Sequence, residues 1–200
     1  DGLILVDGSD FPKKGTESVG VQRQYCGQLG KRANCQAGVF LGYASAHGST
    51  LLDRRLYLPE PWVSDPAFAE RRRKCGVPDD ISFKTKPALA LEMLQALVQA
   101  GTLRARWLAC DEGFGRDTGF LSAVSDLGLW YIAEVPHDTR VWTERPETAV
   151  PTWRGRGPKP SKARVVAEAP APLTVRALAD AVPAAEWQEV AFAEGAKGVQ

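Results

Sequence analysis

Hydrophobic and polar positions change rhythm several times along this 200-residue chain. Leu3–Val6 is an unbroken apolar run stopped by Asp-Gly, the pattern of a short buried strand. "VQRQY" reads as a second strand piece. "NCQAGVFLGYAS" (Asn34–Ser45) and "LLDRRLYLP" read as two more, turned by "HGST". Strands in such close succession predict an antiparallel meander. Pro59, Pro61 and Pro66 then break the pattern. A helix is predicted over Asp65–Cys75, opening on an aspartate cap with proline in its first turn and stopping at Gly76. A second spans Lys86–Ala100, with Leu89, Met93, Leu94, Leu97 and Val98 on one stripe, Thr85 as cap and Gly101 as stop. "RARWLAC" is a strand, Arg116–Gly128 a short helix capped by Asp117, and "LWYIAEV" a strand again. Beyond it, glycine, proline, arginine and lysine dominate before a short helix, "TVRALADAV", and a closing strand, "EWQEVAFAEG".

Strands first, then helices alternating with strands, predict an α/β fold: a mixed sheet with helices on its faces. Residues 1–136 read as its core, and 137–200 as a basic segment following the second buried strand. The composition, 44% hydrophobic and 24% charged, is that of a soluble globular protein. A net charge of +1 means that affinity for nucleic acid must come from local patches. No apolar run approaches the roughly 18 residues of a membrane span. The four cysteines form no C-x-x-C pair and there are only two histidines, which argues against a zinc site and for reduced, cytosolic thiols. The opening on Asp1-Gly2, straight into a strand, reads as a segment of a longer protein.

The two most buried-looking strands each end in an acid, Asp7 and Asp111. In open α/β sheets ligands gather beyond the carboxyl ends of the strands. If the two strands are neighbours, these carboxylates form an oxygen donor set for Mg²⁺, the ion that serves phosphodiester chemistry. The plainer alternative is that Asp-Gly is turn chemistry. Asp10 and Glu112 read as supporting or solvated residues, Gly8-Ser9 being expected to bend the chain, and "GFGR" as a plain loop or a close approach to phosphate before a helix N-terminus. Candidate phosphate contacts are Lys13 and Lys14, expected to reach the phosphate that Asp7 serves, Arg23 and Lys31 beside a Gly-rich turn, and Arg154, Arg156, Lys159 and Lys162 in the basic loop. Trp153 is a core residue or a base-stacking one, and "ERRRK" (Glu70–Lys74) a solvated helix face.

The block "VDGSDFPKKGTESVGVQRQYCGQLGKRANCQAGV" resembles the DDE-type transposases of bacterial insertion sequences, the DDE superfamily endonucleases. "WLACDEGFGRDTGFLSAVSDLGLWYIAEVP" is similar to the second-aspartate region of that family, and "WRGRGPKPSK" to its basic segment. The resemblance implies an RNase H-like fold. It makes Asp7 and Asp111 the first two members of a D-D-E triad that holds Mg²⁺, or Mn²⁺ in its place, for DNA cleavage and strand transfer at transposon ends. It also implies DNA as partner, a homo-oligomer on that DNA, and the bacterial cytoplasm and nucleoid as location. The family's glutamate lies on a later helix in a Y-x-x-R-x-x-x-E-x-x-K-like setting, and no such stretch occurs here. Glu189 and Glu194 fall in or beside a strand-like run and are not assigned to it. The expectation is a piece lacking that glutamate, with DNA binding but no efficient strand transfer of its own. Two further readings stay open: a nucleic-acid-binding module with structural acids, and an aspartate-dependent phosphotransferase, although Asp7 and Asp10 stand three apart where that chemistry wants two.

Overall fold

The computed structural model describes residues 2–189, and the backbone of 194–195 and 198–199. It divides the chain into two compact units, Asp1–Val135 and Pro136–Gln200. In the first, β1 (Gly2–Pro12), β2 (Gln22–Cys26), β3 (Lys31–Ser45) and β4 (Gly48–Tyr57) precede α1 (Glu60–Ser64), α2 (Ala69–Lys74) and α3 (Lys86–Ala100). Then follow β5 (Ala105–Cys110), α4 (Glu112–Gly115), α5 (Thr118–Asp126) and β6 (Trp130–Ala133). The sheet runs β2-β3-β1-β5-β6, with β4 also on β3. β3 is long enough to hold two antiparallel partners on one edge: Lys31–Cys35 faces β2, and Ala37–Ser45 faces β4. Its other edge takes β1, antiparallel. β5 joins β1 in parallel, and β6 joins β5 in parallel. Parallel neighbours need a crossover, which the helices provide.

One face of this sheet makes the core. Ile4 and Val6 of β1, Val39 and Leu41 of β3, and Leu108 and Cys110 of β5 are all buried there. Leu89, Ala90, Met93 and Leu94 of α3, with Phe120 and Val124 of α5, cover them. Each fully buried aliphatic side chain contributes about 1.5–3 kcal/mol. α3 has the predicted bounds, with the Thr85 hydroxyl accepting the Ala88 N–H at 3.2 Å and Gly101 ending it at φ 62°. Its stripe differs at one place: Val98 is 38% exposed. Asp117 caps α5 by accepting the Phe120 N–H at 3.0 Å.

Four expectations are corrected. β1 does not bend at Gly8-Ser9; it stays paired to β3 through Pro12, because Gly38 opposite Ser9 and Gln36 opposite Phe11 continue the ladder. The single helix predicted over Asp65–Cys75 is a 3-10 turn, Pro66–Phe68, held by the Asp65 carboxylate on the Ala67 N–H, and then α2. The proline-rich stretch holds a helix, α1, with Pro61 in its first turn, where no backbone donor is required. The expected closing strand is absent over 187–189, which follow a 3-10 turn at Ala184–Glu186. Within the same expectation Glu194–Gly195 is a short strand, whereas residues 190–193 and the Glu194 side chain lie outside the described residues.

The second unit holds three short antiparallel ladders, one of them β11 (Glu194–Gly195) on β12 (Gly198–Val199). β7 (Arg140–Val141) pairs β10 (Leu173–Thr174), and β8 (Thr148–Ala149) pairs β9 (Arg164–Val165). Thr174 caps α6 (Val175–Asp180) through the Ala177 N–H. The β8–β9 ladder closes the base of the basic loop, 150–163, which carries no helix or strand.

Candidate active site

Alternation along β1 sorts its side chains onto two faces. Ile4 and Val6 point to the helices, whereas Leu5, Asp7, Ser9 and Phe11 point to the opposite face, where Leu5, Asp7 and Phe11 are exposed. The parallel register sets Leu5 beside Ala109 and Val6 beside Cys110. One residue further, Asp7 and Asp111 therefore stand side by side, at the same level, on neighbouring strands. Asp111 leaves β5 with extended backbone and begins α4, its carbonyl accepting the Gly115 N–H at 2.8 Å. Its side chain makes no capping bond and stays available. Gly113 keeps it so, since a Cβ there would lie 3.1 Å from Asp111 Oδ1.

A third acid occupies the next place. β5 and β6 pair Ala109 with Ile132 and Cys110 with Ala133, so Glu134 follows at the level of Asp111. Its N–H donates to the Cys110 carbonyl at 3.1 Å. Leu5, Asp7, Ala109, Asp111, Ile132 and Glu134 line one open cleft. Glu134 went unnoticed in the sequence, although the signal was present: it follows the apolar run "LWYIA" as Asp7 follows "LILV" and Asp111 follows "WLAC". Gly115 fixes its position, because a Cβ on that buried glycine would strike the Glu134 carbonyl. Gly115→Ala is accordingly expected to destabilise the protein by about 1–3 kcal/mol, the usual cost of overpacking, measured as a lower urea midpoint.

The electrostatics are those of uncompensated anions. None of Asp7, Asp111 and Glu134 is in an ion pair among the described residues. Among the described residues Asp7 accepts only the N–H of its neighbour Gly8, at 2.6 Å. Beneath them, burial first, and then the fields of Asp111 and Glu134, push the Cys110 thiol up to about 11. Among the described residues no three His, Cys, Asp or Glu side chains already converge tightly enough to hold a metal ion. The three carboxylates are neighbours in register rather than a closed cage.

Other predicted residues fall elsewhere. Asp10 lies on the helix-covered face, away from Asp7, because β1 continues past Gly8-Ser9. Its carboxylate accepts the Gly27 N–H at 2.7 Å and stands 4.0 Å from Lys86 Nζ, which makes it a structural tie. That placement leaves Asp7 and Asp10 unable to act together, against the phosphotransferase reading. Glu112 forms an exposed pair with Arg116 at 3.9 Å, and "GFGR" is mostly the one-turn helix α4 rather than a loop. The expected short reach from Asp7 to Lys13 and Lys14 is also corrected: six extended residues at roughly 3.4 Å each put Lys13 about 20 Å away. Lys13 is pinned there by its N–H on the Asn34 carbonyl at 2.8 Å. Arg23, opposite Asn34, shares the face of Asp7, whereas Lys31, opposite Cys26, belongs by alternation to the other face. Arg154, Arg156, Lys159 and Lys162 are all exposed in the second unit. Trp153 is half-exposed and ties that loop through its indole N–H on the Gly157 carbonyl at 3.1 Å, so it is not a core residue.

A five-strand path with its first strand central, two strands parallel to it, helices on the sheet and acids at adjacent strand ends is consistent with an RNase H-like fold. The chain belongs to the DDE superfamily endonucleases, whose family model matches residues 1–199. No curated protein and no solved structure matches it.

Proposed function

We propose that this chain forms part of a transposase catalytic domain that cleaves DNA phosphodiesters with a divalent cation, Mg²⁺ or Mn²⁺, and transfers the resulting strand ends. The observation that carries this reading is the adjacency of Asp7 and Asp111 on an uncovered sheet face, within a chain of the DDE endonuclease family. The donor set fits the ion: exposed carboxylate oxygens, no lysine or arginine paired with them among the described residues, and a glycine that keeps Asp111 open. Hard divalent cations take such oxygens and retain waters for a phosphate. Asp7 and Asp111 would hold the ion, which when bound supplies activation of the attacking oxygen and stabilisation of the leaving one. The residues themselves do the positioning. The β1–β5 ladder fixes the separation of the two acids, and the open cleft admits a phosphate between them.

DNA is tracked, on this reading, by Lys13, Lys14 and Arg23 in the first unit, with Lys31 reaching it only around the sheet edge from the opposite face, and by Arg154, Arg156, Lys159 and Lys162 in the second. A duplex turn spans about 34 Å, so contacts some 20 Å from the scissile phosphate suit a bound duplex. Replacing the four loop cations by alanine is expected to flatten the plot of log affinity against log salt by about 3 to 4, near 0.9 per phosphate released, in fluorescence anisotropy titrations. Action as a homo-oligomer on transposon ends, in the bacterial cytoplasm at the nucleoid, belongs to the same proposal.

The test is a nicking assay with the protein expressed from its complete reading frame, on DNA carrying candidate terminal repeats. Nicking with Mg²⁺ or Mn²⁺ and none in EDTA is the expected result. Equal nicking in EDTA would sink the cation assignment.

A further inference from the structure

We propose that the apolar groove beside Asp7 binds unpaired DNA bases, with Phe40 as the stacking platform and Arg54 as the neighbouring phosphate contact. This rests on the reading above that DNA is the substrate, and names the form in which one strand meets the sheet. The groove, of about 520 Å³, is lined by Leu5, Phe11, Phe40 and Leu51 around Asp7 and Gly42. It opens on the uncovered sheet face, where Phe11 is 42% and Leu51 71% exposed. Glycines shape it. A Cβ on Gly38 would lie 2.7 Å from the Phe40 ring, so the ring leans over that glycine instead of standing off the sheet. On the other side of Phe40, Gly42 leaves the floor bare. Direct pairing puts Asp7, Phe40 and Arg54 in one rung across β1, β3 and β4, on one face. Arg54 is exposed and has no ion-pair partner among the described residues. Two pairing steps place its Cα about 10 Å from that of Asp7. An apolar strip between an unpaired cation and the acid cleft complements a polymer of flat rings strung on phosphates. A duplex keeps its rings stacked inside and would leave the strip wet. A single strand lays its bases on the strip while its backbone runs from the cleft to Arg54. An apolar protein segment would cover the leucines but leave Arg54 without its anion.

The experiment is fluorescence anisotropy with labelled oligothymidylate of about 12 nucleotides, a length that suits single-strand grooves. Beside it run an abasic strand of the same length and a duplex carrying candidate terminal repeats, all with Ca²⁺. The protein, expressed from its complete reading frame, is compared as wild type, Phe40→Leu, Phe40→Tyr and Arg54→Gln, each checked for folding by far-ultraviolet circular dichroism. Phe40→Leu is expected to bind thymidylate about tenfold more weakly, the scale of one lost base–aromatic contact, and the abasic strand as the wild type does. Phe40→Tyr keeps the ring and should retain thymidylate affinity. Arg54→Gln should weaken both single strands alike and flatten log affinity against log salt by about 0.7, the share of one phosphate on a single strand. Equal loss of thymidylate and abasic strand in Phe40→Leu makes Phe40 a packing residue and overturns the base site. Wild-type affinities in both Phe40→Leu and Arg54→Gln also overturn it, and give the groove to another occupant such as a protein segment. A wild-type protein that holds the duplex but not thymidylate overturns it while the proposed function stands. Binding to none of the three DNAs removes DNA as the substrate, and this inference with it.

Discussion

Asp7→Asn is expected to lower cation-dependent nicking by about 10²–10³-fold, the scale lost when one preorganised charge-stabilising group is removed from an active site. The fold should survive. Asp7 is exposed and, among the described residues, bonds only to the N–H of the next residue and supports no buried partner, so the isosteric amide disturbs no packing. Removing one of three adjacent anions also relieves repulsion, and the thermal midpoint should stay level or rise slightly. An activity loss accompanied by an unchanged melting curve therefore separates chemistry from structure. Initial nicking rates in Mg²⁺ and in Mn²⁺, beside a circular-dichroism melt, make the measurement. Cleavage at wild-type rate by this variant would return Asp7 to the role of a strand-ending turn residue.

Trp62→Ala is expected to cost about 3–5 kcal/mol, read as a shift of the urea midpoint. The indole is fully buried, lies 5.5 Å from the Phe68 ring centroid, and donates its N–H to the Val21 carbonyl at 2.8 Å. That bond ties α1 to the segment leading into β2, so the loss combines a cavity with an unpartnered buried acceptor. The Arg71 guanidinium also sits over Phe68 at 5.2 Å and over Trp62 at 5.9 Å. One arginine of the "ERRRK" run is thus a packing residue as well as a solvated charge. Trp62→Phe, which retains most of the buried ring, should cost markedly less than the alanine.

Trp62 also shows where the sequence stopped being legible. Periodicity revealed α3, α5 and the central strands, since each has one buried face and clear cap residues such as Thr85 and Asp117. α1 was hidden because its five residues carry less than two turns of pattern, and because prolines at its start look like breaks. At the site, the paired aspartates were legible from apolar runs ending in acid. Their adjacency was not, as it depends on which strands become neighbours. The reach of Lys13 and the facing of Asp10 were misjudged for one shared reason: a Gly-Ser pair promises a bend, yet β3 supplies ladder partners on through Pro12. Glu134 was missed for the opposite reason, the rule that found the two aspartates not having been carried to a third strand.

The unbroken course of β1 gives it the character of a two-track tape. Its odd-numbered track from Leu3 to Phe11 carries the acid meant for solvent, and its even-numbered track carries Ile4, Val6 and the anchoring Asp10. A codon lost or gained between Gly2 and Val6 would leave the reading frame intact but exchange the tracks, driving charge into the helices and isoleucine into water. The basic loop between β8 and β9 has no such parity to keep. Mutational scanning by single-codon indels should thus find this strand among the least forgiving stretches of the gene, and that loop among the most permissive.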